Sequence, residues 1–192
     1  MARVLVPLAT GFEEIEAVTV IDILRRAGID VVVASLEPGP VQGSHDITVA
    51  ADQDLSTVID QHFDMVVLPG GMPGAANLQR DSRIISLLQS TAGHGGVIAA
   101  ICAAPMVLAA AGLLQGYRAT SYPGFLDSAP AQGTVISNEA VVSDRNRVTS
   151  RGPGTAMDFA LALVENLLGS KSRQAVEQTL QRPVSSSESR DR

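Results

Sequence analysis

The chain has 192 residues, 45% of them hydrophobic, which fits one domain with a full-sized core better than two small ones. A net charge of -6, 3% aromatic content and no tryptophan argue against stable nucleic-acid binding and against a base-stacking platform. The single cysteine rules out an intramolecular disulfide. With no signal peptide and no apolar run long enough to span a bilayer, the expectation is a soluble, cytoplasmic protein without a membrane partner.

Arg3 to Ala9 reads as a buried first strand, with Pro7 the one residue against a fully paired centre. Thr10, Gly11 and Phe12 turn the chain into a helix from Glu13 to Ala27, whose Ala17, Val20, Ile21 and Leu24 form one apolar stripe. Glu13 and Glu14 complement the helix dipole in the first turn, and Gly28 after Arg25 and Arg26 is a stop signal. Asp30 to Ala34 is the second strand, so the chain opens as a parallel βαβ unit. Val41 to Ala51 fits a small hairpin with Gly43, Ser44, His45 and Asp46 at its tip, and Leu55 to His62 a short helix. Asp64 to Leu68 is a further buried strand that stops at Pro69-Gly70-Gly71-Met72-Pro73-Gly74.

A helix over 82–92 leads to the apolar run from Val97 to Ile101, which meets Cys102 and passes at once into a helix from Ala104 to Ala111. Gly116 to Ser121 reads as a strand ending at Tyr122-Pro123-Gly124. Strands at 140–143 and 147–150 flank a turn, a last helix runs over 155–168, and 172–181 keeps helical character. The domain reading is 1–170 as a single unit and 171–192 as a C-terminal extension, a short helix followed by a polar, disordered end. Four or five buried strands alternating with helices predict an α/β, doubly wound, mostly parallel sheet with ligands outside the carboxyl ends of its strands.

That rule brings Glu16, Gly70, Gly71 and Cys102 to one rim. On a strand-to-helix turn Cys102 is aimed at the free N–H groups and positive end of the following helix, which favours thiolate; a buried structural cysteine is the competing reading. Glu16 shares a helix face with Val20 and Ile23, so burial would raise its pKa and let it shuttle protons; an ordinary exposed carboxylate is the alternative. Gly70 and Gly71 present unobstructed N–H groups that, with Ala103, form a candidate oxyanion hole. His62 and His94 fall on the opposite rim, and no histidine forms a Cys-His dyad; His45, on the hairpin tip, is the one that reaches toward the pocket, in this chain or a partner's. No ligand set has zinc spacing, so neither metal nor cofactor is expected.

Four motifs, Gly11 to Ala17, Leu68 to Gly71, Ala99 to Pro105 and Thr149 to Thr155, together resemble the ThiJ/PfpI family, and within it the branch of the parkinsonism-associated protein deglycase and its bacterial ThiJ-like relatives. The resemblance runs to about Leu168. It implies a flavodoxin-like sandwich, a homodimer, an oxidation-sensitive nucleophile at Cys102, Glu16 as its protonated partner, and oxyanion donors at Gly71 and Ala103. It also implies glutathione-independent glyoxalase activity on methylglyoxal, deglycation of early adducts, and protection against oxidative stress, including chaperone-like behaviour. Ala103 stands where protease and amidotransferase relatives carry histidine, which argues against both activities. Tyr122 stands where the glyoxalase-active relative has histidine. A phenol with a pKa of about 10 shuttles protons poorly at neutral pH, so slow turnover is expected. Arg151 is the remaining pocket candidate.

Overall fold

Apolar side chains fill both faces of the central strands, as a parallel sheet covered on both sides requires. The computed structural model describes residues 1–126 and 133–182. Its first half contains β1 (Arg3–Leu8), α1 (Glu14–Arg26), β2 (Asp30–Ser35), β3 (Val41–Gln42), β4 (Thr48–Val49), β5 (Gln53–Asp54), α2 (Leu55–Val58), β6 (Met65–Leu68), α3 (Gly74–Arg80) and α4 (Ser82–Gly93). Then come β7 (Val97–Ile101), α5 (Pro105–Ala110), β8 (Arg118–Ala119), β9 (Val135–Ile136), β10 (Val141–Asp144), β11 (Arg147–Ser150), α6 (Ala156–Leu168) and α7 (Ser170–Thr179). Seven strands make the main sheet in the order β10-β11-β7-β6-β1-β2-β5, parallel throughout except for the β10–β11 hairpin. The fold is α/β and flavodoxin-like, as expected.

Alternate residues of each strand feed opposite cores. Val4, Val6, Val31, Val33, Val67, Ala99 and Ile101 pack with Ala17, Val20, Ile23 and Leu24 of α1 and Phe159, Leu163 and Val164 of α6. Leu5, Val32, Val66, Leu68, Ile98 and Ala100 pack with Leu78 of α3, Ile84 and Leu88 of α4, and Val107 and Leu108 of α5. Among the described residues no helix is long and apolar enough to cross a membrane.

Four elements differ from the sequence reading. The sheet has seven strands rather than four or five, because two-residue β5 and antiparallel β10 extend its edges. The helix expected over 55–62 is only Leu55–Val58: both its apolar residues are already buried, and the chain must turn to bury Phe63 before β6. Helix α3 went unforeseen beneath the Pro and Gly signals. It begins at Gly74, whose N–H donates to the Gly11 carbonyl at 3.1 Å, and it buries Ala75 and Leu78. The strand expected over 116–121 is reduced to Arg118–Ala119 and pairs with β9 in a separate sheet. It lies beside the main sheet without joining it, because side chains of that sheet take its N–H groups: Arg118 donates to Asp144 Oδ2 at 2.8 Å and Thr120 to Thr149 Oγ1 at 2.9 Å. The helix expected over 172–181 is α7, and the polar end from Pro183 lies outside the described residues.

Candidate active site

The sharp passage from β7 into α5 sets the geometry. Cys102 adopts φ 64°, a left-handed conformation that costs a residue with a Cβ about 1–2 kcal/mol. It is held there from both sides: its N–H donates to the Ser150 carbonyl at 2.9 Å, and its carbonyl accepts from the Tyr122 N–H at 2.8 Å. A nucleophile kept in a strained turn by its neighbours is common at functional sites.

Glu16, in the first turn of α1, is fully buried at 0% exposure. One oxygen, Oε2, accepts from the Gly70 N–H at 2.8 Å, and Oε1 has no hydrogen-bond partner within the described protein. Burial pushes the carboxyl up to about 7, aided by the charge of Glu13 and opposed by the Gly70 N–H and the Cys102 thiol. Burial likewise pushes Cys102 up to about 12, with the charge of Glu16 and a hydrogen bond to it adding to the rise. The backbone N–H groups of Gly71 and Ala103 pull the other way, because they donate toward the sulfur. The expected bias of the helix dipole toward a resting thiolate is therefore outweighed. The pair keeps a proton through neutral pH, and a thiolate forms here as that proton moves to Glu16.

The two glycines do different work. A Cβ on Gly70 would lie 2.6 Å from Cys102 Cβ and 2.7 Å from Glu16 Oε2, so the bare backbone is what lets the two side chains meet. Its N–H is committed to Glu16, which corrects the expectation that it serves as an oxyanion donor; Gly71 and Ala103 are the pair aimed at the sulfur. Gly71 needs its freedom twice over, with φ 87° and a backbone contact of 2.4 Å awaiting any Cβ.

Tyr122 stands at the rim, 48% exposed, next to Cys102 through the main-chain bond already described. Arg151 is half-buried and donates to Asn138 Oδ1 at 3.1 Å; with Tyr122 it lines a cleft of about 320 Å³. A wider cleft of about 570 Å³ near His62 and His94 contains none of these residues.

His45 is turned to the acidic start of α1 rather than to the sulfur. Its N–H donates to Glu14 Oε1 at 2.7 Å, and its Nδ1 lies 3.1 Å from Glu14 Oε2 and 3.6 Å from Glu13 Oε2. Ser44 Oγ joins the group at 3.2 Å from Glu13 Oε2. Burial pushes Glu14 up, but its own N–H, those of His45 and Ile47, and the His45 ring together hold it near 2. Ligand atoms of Glu13, Glu14 and His45 lie within 4.8 Å of one another, a grouping invisible in linear spacing; their mutual hydrogen bonds account for it. The sequence reading missed this cluster, whose two halves lie more than thirty residues apart with no local signal joining them.

The model of the DJ-1/PfpI family matches residues 2–166. "Protein dj-1beta" of Drosophila melanogaster is 45% identical over 90% of this chain and 92% of its own length. "Glutathione-independent glyoxalase DJR-1.2" of Caenorhabditis elegans is 38% identical over 82% of this chain and 83% of its own. The solved structure of oxidized Toxoplasma gondii DJ-1 superposes with a TM-score of 0.91 at 41% identity, covering 96% of this chain and 100% of that one.

Proposed function

The chain belongs to the DJ-1/PfpI family, and from that premise we propose that it consumes reactive dicarbonyls and their early adducts by a glutathione-independent glyoxalase or deglycase reaction at Cys102. The observation that carries this reading is the unpartnered Oε1 of a fully buried Glu16 against a cysteine whose sulfur faces two backbone donors.

With methylglyoxal, Cys102 gives its proton to Glu16 as Sγ bonds to the aldehyde carbon. The N–H groups of Gly71 and Ala103 hold the resulting alkoxide, and Glu16 returns the proton to it to complete the hemithioacetal. The Glu16 carboxylate then takes the hydrogen of that carbon and delivers it to the neighbouring carbonyl carbon. The carbon bonded to sulfur becomes a thioester, and water hydrolyses it to lactate and free Cys102. A carboxyl raised to about 7 suits both directions of transfer near neutral pH. No cofactor enters the balance.

The test is lactate formed from methylglyoxal without glutathione or glycated macromolecules, by wild type, Cys102→Ser and Glu16→Gln. Turnover in wild type and its loss in both variants is the expected result; no turnover in wild type would overturn the reading.

The same Oε1 favours a second reading, a redox-sensing stress protein or chaperone. Peroxide oxidises Cys102 to sulfinate, two equivalents being reduced to water, and protonated Glu16 donates to a sulfinate oxygen. Turnover that dies with peroxide treatment while client binding rises would favour it.

A homodimer belongs to this proposal. Ile15 and Val18 on one face of α1 and Ile47 on the β3–β4 tip are exposed apolar residues that a second copy would cover, and sedimentation at micromolar concentration reads the outcome. So do a cytoplasmic setting and the division into 1–170 and 171–192.

A further inference from the structure

We propose that the cleft between Tyr122 and the loop starting at Arg151 is the subsite for the substrate's acyl substituent, and that it selects flat, apolar groups and rejects cationic ones. This rests on the carbonyl chemistry assigned to Cys102 above. Its position follows from the hydrogen bonds that clamp the cysteine. Tyr122 donates to the Cys102 carbonyl, and Ser150, which accepts from the Cys102 N–H, directly precedes Arg151. Both walls therefore begin at the nucleophile's own peptide groups, and a group attached to the carbon bonded to Sγ has this cleft beside it.

The lining fits such a group. Tyr122, Pro123 and Pro153 supply apolar surface, Gly152 and Gly154 leave room, and Arg151 is the one charged residue. About 320 Å³ is enough for an aryl ring and too little for a folded peptide segment. The Tyr122 ring is held in place rather than free. A Cβ on Gly152 would come within 3.3 Å of its Cδ2, and Phe125 meets it edge-on with centroids 6.3 Å apart and planes at 74°. One face is thus backed by glycine and the ring is still 48% exposed. A pre-positioned ring with an open face loses little freedom when a flat group stacks on it. The Arg151 guanidinium repels an ammonium in the same space and leaves neutral or anionic substituents unopposed.

Cys102 is the only cysteine, so alkylation reports on this site alone and needs no turnover. The experiment compares second-order rate constants for Cys102 with 2-bromoacetophenone and with iodoacetamide, in wild type, Tyr122→Ala and Tyr122→Phe. The ratio of the two constants is expected to fall about tenfold in Tyr122→Ala and to be kept in Tyr122→Phe, since stacking needs the ring and not the hydroxyl. A para-trimethylammonium derivative of the same bromoketone is expected to lag its neutral parent in wild type and to recover in Arg151→Gln. An unchanged ratio in Tyr122→Ala overturns the subsite; no lag for the cationic reagent overturns its charge selection. Absence of lactate formation together with a fallen ratio would leave the subsite standing and remove the glyoxalase reaction, so the two failures are distinguishable.

Discussion

Replacing Glu16 with glutamine should make the fold less sensitive to pH between 5 and 8. The carboxyl is fully buried and its pKa rises from 4.5 to about 7 on folding, chiefly through burial. Below 4.5 it is neutral in both the folded and unfolded chain and costs nothing. Between 4.5 and 7 the folded protein keeps a proton that the unfolded chain has lost, so stability falls steadily as pH rises. Above 7 the group is ionised in both states and the full penalty stands, about 3 kcal/mol at roughly 1.4 kcal/mol for each pKa unit. Glutamine keeps the carbonyl that accepts from Gly70 and cannot ionise. Urea denaturation of wild type and Glu16→Gln at pH 5 and pH 8 isolates this share, because His45 and the other titrating groups are common to both proteins. The variant's advantage should grow by about 3 kcal/mol from pH 5 to pH 8. Parallel stability profiles for the two proteins would refute the buried, proton-holding carboxyl on which the proposed chemistry depends.

Gly70→Ala places a methyl 2.6 Å from Cys102 Cβ, so it should abolish turnover at least a hundredfold and lower stability by about 1–3 kcal/mol, read by lactate assay and denaturation. Cys102→Gly should be more stable than Cys102→Ala by about 1 kcal/mol, because glycine adopts φ 64° without strain; equal midpoints would mean that the turn relaxes when sulfur is removed. His45 is held protonated by Glu14, a contribution present below its ordinary value of 6.5 and lost as pH rises through its raised folded value. His45→Gln should therefore lower the thermal midpoint at pH 5.5 and leave it unchanged at pH 9.

The elements that carry the chemistry were legible because each is local. The passage from Val97 through Ile101 into Cys102 and then Pro105 announces a strand turning sharply into a helix. The period of α1 places Glu16 on the face of Val20 and Ile23, where the structure buries all three. Helix α3 was hidden because Pro73 and Gly74 signal a turn locally, while the contacts that start the helix come from Gly11, far back in the chain. The reach of 116–121 was overread for a similar reason: its apolar pattern fits a strand, but Thr149 and Asp144 had already claimed its N–H groups.

Periodicity, turn chemistry and the four motifs by themselves determined the α/β layout, the family and the identity of the two reacting side chains, since each depends on residues close in sequence. Tertiary structure alone decided their electrostatics. The thiol is pushed up rather than down, because burial and a carboxyl from α1 outweigh two N–H donors. Gly70 is a spacer and a clamp on Glu16, because β6 ends where β7 delivers the cysteine. His45 joins Glu13 and Glu14 through a hairpin tip folded back over thirty residues. A pKa or a vacant hydrogen-bonding oxygen depends on what surrounds an atom in three dimensions, and those neighbours are set by the packing of the sheet rather than by adjacency along the chain.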